Sequence, residues 1–161
     1  MKKLDPKITK TQGFSLVGIA TEMSFAENKT AKLWQEFIPL KMANFGKKQV
    51  DLYSVEVYKD LSFFSNFDPK QTFMKWAAIR KEDIEKIPSE FTTLEVPEGK
   101  YAIFTYKGSS TEAPQSYQQI FQHWLPASGF QLDDRPHFAI MGEKYKNNDP
   151  TSEEEIWIPI Q

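Results

Sequence analysis

The residues of this sequence that could do chemistry are two glutamates that each stand two positions before a tyrosine. Glu56 precedes Tyr58, Glu143 precedes Tyr145, and 87 residues separate the two motifs (143 − 56). A carboxylate supplies a negative charge, and a tyrosine ring supplies a flat apolar surface with a hydroxyl group. Such pairs suit a planar organic molecule that carries a positive charge. A carboxylate in an apolar groove can also have a raised pKa, which suits a general base acting on water.

Other reactive groups are few. The chain has no cysteine, and its two histidines, His123 and His137, lack the H-x-x-x-H spacing of a helical zinc site. The sequence contains no P-loop, no G-x-G-x-x-G and no G-x-S-x-G motif. We therefore predict no metal site and no cofactor, and no catalytic residue unless Glu143 serves a hydrolase.

An internal repeat positions the two Glu-x-Tyr motifs. Residues 33–39 (LWQEFIP) match residues 120–126 (IFQHWLP) in polarity and aromatic character at the same offset of 87 (120 − 33). Each half shows the pattern of strand, helix, strand, strand. We predict one domain over residues 1–161, with a first repeat at about 10–80 and a second at about 97–161. The predicted fold is α+β: two tandem β-α-β-β repeats in a largely antiparallel sheet, with both helices on one face and a ligand groove between the halves.

Strand alternation divides the side chains between the two faces of this sheet. One face is apolar enough to pack beneath the helices; it holds Tyr53, Val55, Val57, Phe138 and Ile140, and in the last strand Ile156, Ile158 and Ile160. The opposite face is predicted to line the groove. Its candidate ligand-binding residues are Glu56, Tyr58, Trp76, Met141, Glu143, Tyr145 and Trp157.

Four further residues have a predicted place outside the groove. Trp34 and Trp124 fall on the apolar stripes of the two helices and are expected in equivalent buried positions. Glu153 and Glu154 precede the last apolar strand and are expected to face solvent as edge charges.

Composition excludes several classes of partner. The net charge is −2, and the chain has no basic tract beyond short pairs such as Lys47-Lys48, so no footprint for nucleic acid is visible. The predicted helices also lie too far apart for a helix-turn-helix. No apolar run approaches the ~20 residues of a membrane span, and residues 1–10 are polar. We expect a cytoplasmic protein that binds a small molecule and neither duplex DNA nor a membrane.

Three segments together resemble the GyrI-like family, the AraC effector-binding domain type. Residues 97–102 (PEGKYA), 124–129 (WLPASG) and 155–160 (EIWIPI) match its P-x-G-x-Y-A strand entry, its W-L-P-x-S-G helix end and its E-I-x-I-P-I terminus. The resemblance covers about residues 14–160. It implies tandem β-α-β-β modules with a pocket between them, in which some members bind cationic lipophilic drugs through a glutamate. It also implies a bacterial role in transcription regulation, which would here require a partner regulator protein.

The resemblance assigns the pocket glutamate to Glu143, with one departure from the family pattern. Many members place Phe-Glu where this chain has Phe138-Ala139. If the alignment falls on Ala139, the pocket lacks that carboxylate and a cationic ligand is less well supported. Two alternatives remain open: a hydrolase of reactive small electrophiles with Glu143 as general base, and a protein that protects gyrase through a protein–protein interaction.

Overall fold

The computed structural model describes residues 5–65, 68–109, 113–142, 145–146 and 149–161. In these residues eight strands form one antiparallel sheet, in the order β1-β6-β8-β7-β3-β4-β2-β5. The strands are β1 Lys7–Thr11, β2 Phe14–Met23, β3 Leu52–Val57, β4 Phe73–Arg80, β5 Thr92–Val96, β6 Gly99–Lys107, β7 His137–Met141 and β8 Glu153–Ile160. The helices are α1 Thr30–Phe45, α2 Ser62–Ser65, α3 Ala113–Gln119 and α4 Leu125–Ser128, with a 3-10 turn at Lys81–Asp83 and a π-helical turn at Ile120–Trp124.

The strand order confirms the α+β fold built from two repeats. Strands β2, β4 and β3 of the first half mirror β6, β8 and β7 of the second, and the halves meet where β3 pairs with β7. Ser54 lies opposite Ala139 in that central pair. The sheet is therefore continuous across the boundary between the repeats, and its two central strands come one from each half.

Strands β1 and β5, which the sequence did not predict, form the two edges of the sheet. β1 precedes the first half but pairs with β6 of the second, and β5 precedes the second half but pairs with β2 of the first. Their sequences, KITKT and TTLEV, are short and mostly polar, so they lack the apolar alternation of an inner strand. Polar edge strands are common because they discourage pairing with other chains. The segment that precedes each half thus adds an edge strand to the other half.

Helix α1 continues through Pro39, a residue type that ends or kinks most helices. A proline inside a helix frees the carbonyl four residues earlier. Here that residue, Gln35, is exposed, as is Pro39, so water can bond the freed oxygen. The helix ends before Gly46, which adopts a φ of 62°.

Both long helices lie on one face of the sheet, as predicted. Leu33 and Phe37 of α1 are buried against Val17, Ala77 and Ile79 of β2 and β4. On the second half, Ile120 and its neighbours are buried against Ala102, Phe104, Ile156, Ile158 and Ile160 of β6 and β8. The strand register shows that these two clusters lie on the same face of the sheet. Ser54 lies opposite both Ala77 and Ala139, and Ala139 lies opposite Ile156.

Trp34 and Trp124 occupy the margins of these two clusters. Each is half-buried, not fully buried as expected. Trp34 packs edge-on against Phe37, and Trp124 packs edge-on against Phe104. Both tryptophans therefore close the outer sides of the helix–sheet contacts.

The helix-free face carries a second core, which corrects the face assignment made from the sequence. Tyr53, Val55 and Phe138, predicted beneath the helices, are buried on the opposite side with Leu16 and Tyr101. Val57 and Ile140 pack against the same cluster.

Curvature of the sheet explains this burial. Phe14 of β2 and Phe138 of β7 have β3 and β4 between them, yet their ring centroids are only 5.8 Å apart. The sheet therefore curls towards its helix-free face, and the aromatic rings there cover one another without a helix. The guanidinium group of Arg80 lies 4.2 Å from the Phe14 ring, and that of Arg135 lies 4.6 Å from the Tyr101 ring. The polar residues that alternate with these buried residues along the strands, among them Glu56, consequently face the helices.

Candidate functional site

The candidate site lies on the helix-bearing face, above the central strands β3 and β7. Helix α1 covers β2 and β4, and α3 with its π-helical turn covers β6 and β8. Between them the middle of the sheet carries small side chains, Ser54, Ala77 and Ala139, in one row. Larger side chains surround this low floor. We define them as the interhelical site: Glu56, Tyr58, Lys75, Tyr117, His137 and Glu154.

Glu56 and Lys75 form a buried ion pair at one end of the site. The two residues lie directly opposite each other on β3 and β4, and Lys75 Nζ is 3.1 Å from Glu56 Oε2. Their side chains are only 14% and 11% exposed. Burial raises the pKa of the Glu56 carboxyl, and the positive charge of Lys75 opposes this rise.

Glu154 brings a second carboxylate to the same space. It is half-buried, whereas the sequence placed it at a solvent-facing edge; β8 is an inner strand, between β6 and β7. Burial raises the pKa of Glu154, the negative charge of Glu56 raises it further, and the charge of Lys75 lowers it. Among the described residues, its carboxylate has neither an ion-pair partner nor a hydrogen-bond donor. The charges of both members of the ion pair therefore act on the Glu154 carboxyl, although only Glu56 contacts Lys75.

Aromatic rings from both halves wall the site. The centroid of the His137 ring lies 4.9 Å from that of the Tyr58 ring. The His137 ring also stacks on Phe64 of α2, with ring centroids 5.5 Å apart. Phe64 in turn stacks on Phe121 of the π-helical turn, with centroids 5.2 Å apart and an angle of 16°. Burial, assisted by the charge of Arg135, lowers the pKa of His137 to about 3, so its ring is neutral. The walls are therefore apolar and flat.

Two tyrosine hydroxyls, those of Tyr58 and Tyr117, face this space without a partner among the described residues. Burial raises the pKa of Tyr58 and of Tyr117 well above the usual value, and the charge of Glu56 adds to both shifts. Neither hydroxyl bonds to another described residue. In the described part of the chain, the one unpaired side-chain polar atom that is fully enclosed is Arg135 Nη1. The hydroxyls and the Glu154 carboxylate therefore keep access to solvent and are available to a ligand.

The structure brings together only some of the predicted site residues. Glu56 and Tyr58 belong to the interhelical site, and Met141 lies on the same face, buried opposite Leu52. The backbone N–H of Tyr145 donates to the Gly142 carbonyl at 3.0 Å, in the turn after β7. Glu143 lies outside the described residues.

Trp76 and Trp157 lie on the helix-free face of the sheet, opposite to Glu56 and Tyr58, so the predicted ligand-binding residues are divided between the two faces. Both pack against the helix-free core. Trp157 stacks on Phe138 at 5.1 Å, and its Nε1 donates to Glu155 Oε1 at 3.1 Å. Alternation correctly places Trp157 and Ile156 on opposite faces of the sheet. The helices and the interhelical site lie on the face that carries Ile156.

Sequence reasoning missed Lys75, Tyr117, His137 and Glu154 as site residues. Lys75 is a charge in the interior of the apolar strand FMKWAAIR, and alternation with Ala77 would have placed it correctly. Helical periodicity gives Tyr117 and Phe121 the same apolar stripe as Ile120, which is typical of core residues. No sequence pattern predicts the π-helical turn. This turn contains Phe121 and brings the centroid of its ring to 6.0 Å from that of His137, while Ile120 remains in the core.

A separate open cavity of about 530 Å³ lies beside the β1–β2 turn, away from the interhelical site. Thr11, Gln12, Gly13, Phe14, Ser15, Arg80, Lys81 and Glu82 line it. Arg80 already donates to Tyr53 Oη and to Glu82. Its charge is therefore satisfied within the protein, and we do not assign the ligand to this cavity.

The charge of Glu154 should cost stability, because the folded protein binds a proton there more tightly than the unfolded chain. An unfolded glutamate has a pKa of about 4.3. Stability is therefore lost as the pH rises from that value through the raised pKa of the folded state. We expect Glu154→Gln to melt about 2–4 °C higher than the parent at pH 8, the shift that ~1 kcal/mol produces in a chain of this size. At pH 4 the two should melt together.

Thermal unfolding at both pH values checks this, with Glu155→Gln as the matched control. Glu155 is the next residue of the same strand, but it is exposed and lies on the helix-free face. The control should match the parent at both pH values apart from the small effect of its bond to Trp157. A Glu154→Gln variant that is less stable than the parent at pH 8 would contradict the buried-charge assignment.

Within the described residues no helix has both the length and the apolar character that crossing a membrane requires. The same residues contain no group of three potential metal ligands.

Comparison with protein families and with known protein sequences gives two findings. The family model described as "GyrI-like small molecule binding domain" matches residues 4–161. The transcriptional regulator BrlR of Pseudomonas aeruginosa is 25% identical over 162 residues, which cover 99% of this chain and 57% of BrlR. The chain thus spans little more than half the length of that regulator.

Two solved structures share the fold. A putative bacterial transcription regulation protein from Staphylococcus aureus MU50 superposes with a TM-score of 0.68 at 17% identity, covering 99% of both chains. SAV2435 bound to tetraphenylphosphonium superposes with a TM-score of 0.69 at 14% identity, covering 98% of this chain and 94% of that one. At these identities the likeness concerns the fold alone.

Proposed function

Because the chain belongs to the GyrI-like small-molecule-binding domain family, we propose that its interhelical site binds a lipophilic organic cation that carries aromatic rings. The observation that carries this proposal is the charge of the site. Glu56 forms a buried ion pair with Lys75, and the charges of both act on a second, half-buried carboxylate, that of Glu154. A monovalent cation would restore neutrality in a place where an unbalanced charge is costly.

The shape and chemistry of the walls support a ligand that carries flat aromatic rings. Phe64, Phe121 and His137 present aromatic surfaces around the low floor. Aromatic faces attract cations as well as flat apolar groups, and this attraction increases when the site is desolvated. The hydroxyls of Tyr58 and Tyr117 add polar groups that can orient the ligand.

The relatives suggest what binding is for. SAV2435 is a protein of this fold that binds tetraphenylphosphonium, a lipophilic cation, and BrlR is a transcriptional regulator. We propose that this chain acts as the ligand-sensing part of a regulatory system, together with a partner regulator protein. Its binding to duplex DNA should stay weak and unspecific, because its net charge is −2.

Titration with tetraphenylphosphonium, followed by quenching of tryptophan fluorescence, tests the proposed ligand class. We expect saturable binding by the parent and at least tenfold weaker binding by Glu154→Gln, because a charge-assisted interaction of ~1.4 kcal/mol or more is lost. Triphenylphosphine oxide, a neutral probe with similar rings, should bind the parent and Glu154→Gln equally.

Glu155→Gln provides the control for these titrations and should bind the phosphonium as the parent does. If Glu154→Gln also retains parental affinity for the cation, the carboxylate does not contact the ligand and the proposed charge recognition is wrong.

A further inference from the structure

The open cavity beside the β1–β2 turn belongs to the helix-free face of the sheet. Phe14, which lines it, packs on the helix-free core, and the guanidinium group of Arg80 lies 4.2 Å from the Phe14 ring. The volume of about 530 Å³ is within the range of pockets that hold small organic molecules. The cavity is therefore a second concave surface, independent of the proposed cation site on the opposite face.

The charged side chains that line this cavity carry one net positive charge. Arg80 and Lys81 are positive and Glu82 is negative (2 − 1). Arg80 Nη1 lies 2.9 Å from Glu82 Oε1, so these two charges cancel. Lys81 is exposed and forms no ion pair or hydrogen bond with another described residue. A further carboxylate, that of Glu95, accepts a hydrogen bond from Ser15 Oγ but does not itself line the cavity. The lining therefore favours an anion.

Several hydrogen-bond donors around the cavity have no partner among the described residues. Arg80 donates from Nε to Tyr53 Oη and from Nη1 to Glu82, whereas its Nη2 donates to none of them. The backbone N–H groups of Gln12 and Gly13, in the β1–β2 turn, also have no acceptor in the described part of the chain. Guanidinium and backbone N–H groups are typical donors to anionic oxygens.

We propose that this cavity binds a small organic monocarboxylate. Its carboxylate lies between Arg80 and Lys81, and its apolar part lies beside the ring of Phe14. One net positive charge in the lining matches a monovalent anion, and a planar guanidinium group matches the geometry of a carboxylate. The volume and the aromatic wall favour an organic anion over an inorganic ion.

NMR titration of the ¹⁵N-labelled protein with sodium benzoate, at constant ionic strength, tests this site. We expect saturable shifts of the backbone amide signals of Gly13, Ser15 and Lys81, with an apparent Kd on the order of 1 mM for so small a ligand. Benzamide has nearly the same shape without the charge, and it should shift these signals much less.

Two charge variants should change the affinity for benzoate in opposite directions. Lys81→Gln removes the uncompensated positive charge and should weaken binding about fivefold, the effect of one exposed charge. Glu82→Gln removes the negative charge and releases Arg80 Nη1, so it should strengthen binding by about the same factor. The matched controls are Glu85→Gln and Lys86→Gln, which change exposed residues that do not line the cavity. Both controls should bind benzoate as the parent does.

Opposite effects of the two variants, with unchanged controls, would support the site. Benzamide shifts as large as those of benzoate would overturn it, because the charge would then not be recognised. Shifts that do not saturate, or affinities that are the same in Lys81→Gln and Glu82→Gln, would also overturn it. All four substitutions are at exposed positions, and the same spectra show whether each variant is folded.

Discussion

Replacing Phe138 with alanine is expected to remove about 3–5 kcal/mol from the free energy of unfolding. Phe138 is 2% exposed and lies at the centre of the helix-free core, where its ring contacts those of four residues: Phe14, Tyr53, Tyr101 and Trp157. These neighbours come from strands of both halves. Removal of the ring leaves a cavity that a continuous sheet cannot close by shifting one strand. Since domains are stable by about 5–15 kcal/mol, much of the stability should be lost.

Urea unfolding of Phe138→Ala and Phe25→Ala measures the effect against a matched control. Phe25 is also aromatic but is 46% exposed, so its truncation should cost about 1 kcal/mol or less. If Phe138→Ala costs no more than Phe25→Ala, the helix-free face is not a core.

Replacing Lys75 with methionine is the second change with a large expected effect. It keeps most of the volume of the side chain but leaves Glu56 buried without its counter-ion. Removal of one partner of a buried ion pair costs about 3–5 kcal/mol at a pH where the other partner stays charged. Since Lys75 lowers the pKa of Glu56, its loss should raise that pKa further. The deficit should therefore shrink as the pH falls and Glu56 takes up a proton in the folded state.

A double variant separates loss of the pair from loss of the lysine itself. Glu56→Gln combined with Lys75→Met removes both charges and should recover most of the stability lost in Lys75→Met, because no unpaired charge remains. Urea unfolding at pH 8 and pH 5 gives the comparison. A double variant as unstable as Lys75→Met at pH 8 would contradict the buried ion pair.

The repeat and the strand pattern were sufficient to predict most of the fold. A fixed offset between two halves requires two equivalent modules, and apolar alternation marked the inner strands. It could not mark β1 and β5, because edge strands need few apolar residues. Each of these edge strands pairs with the half that it does not precede. This is a long-range pairing that neither segment encodes by itself.

The site was harder to predict because alternation sorts side chains without saying which set faces a helix. Tyr53 and Phe138 form the more apolar set, and packing beneath the helices was the natural expectation. Curling of the sheet buries them on the other side and turns Glu56 towards the helices. The separation of Trp157 from Glu56 onto opposite faces has the same origin. The place of Glu154 depended on the position of β8 within the sheet, which the strand pattern did not determine.

The central claim is that the ligand cation binds between α1 and α3, beside Glu56 and Glu154. Tetraphenylarsonium has the shape and charge of tetraphenylphosphonium and carries an anomalous scatterer, so one anomalous difference map of its complex locates the cation. We expect a single arsenic peak above Ser54 and Ala139, between the two carboxylates. An ordered peak on the helix-free face beside Trp157, or in the cavity at the β1–β2 turn, with none between the helices, would contradict the account.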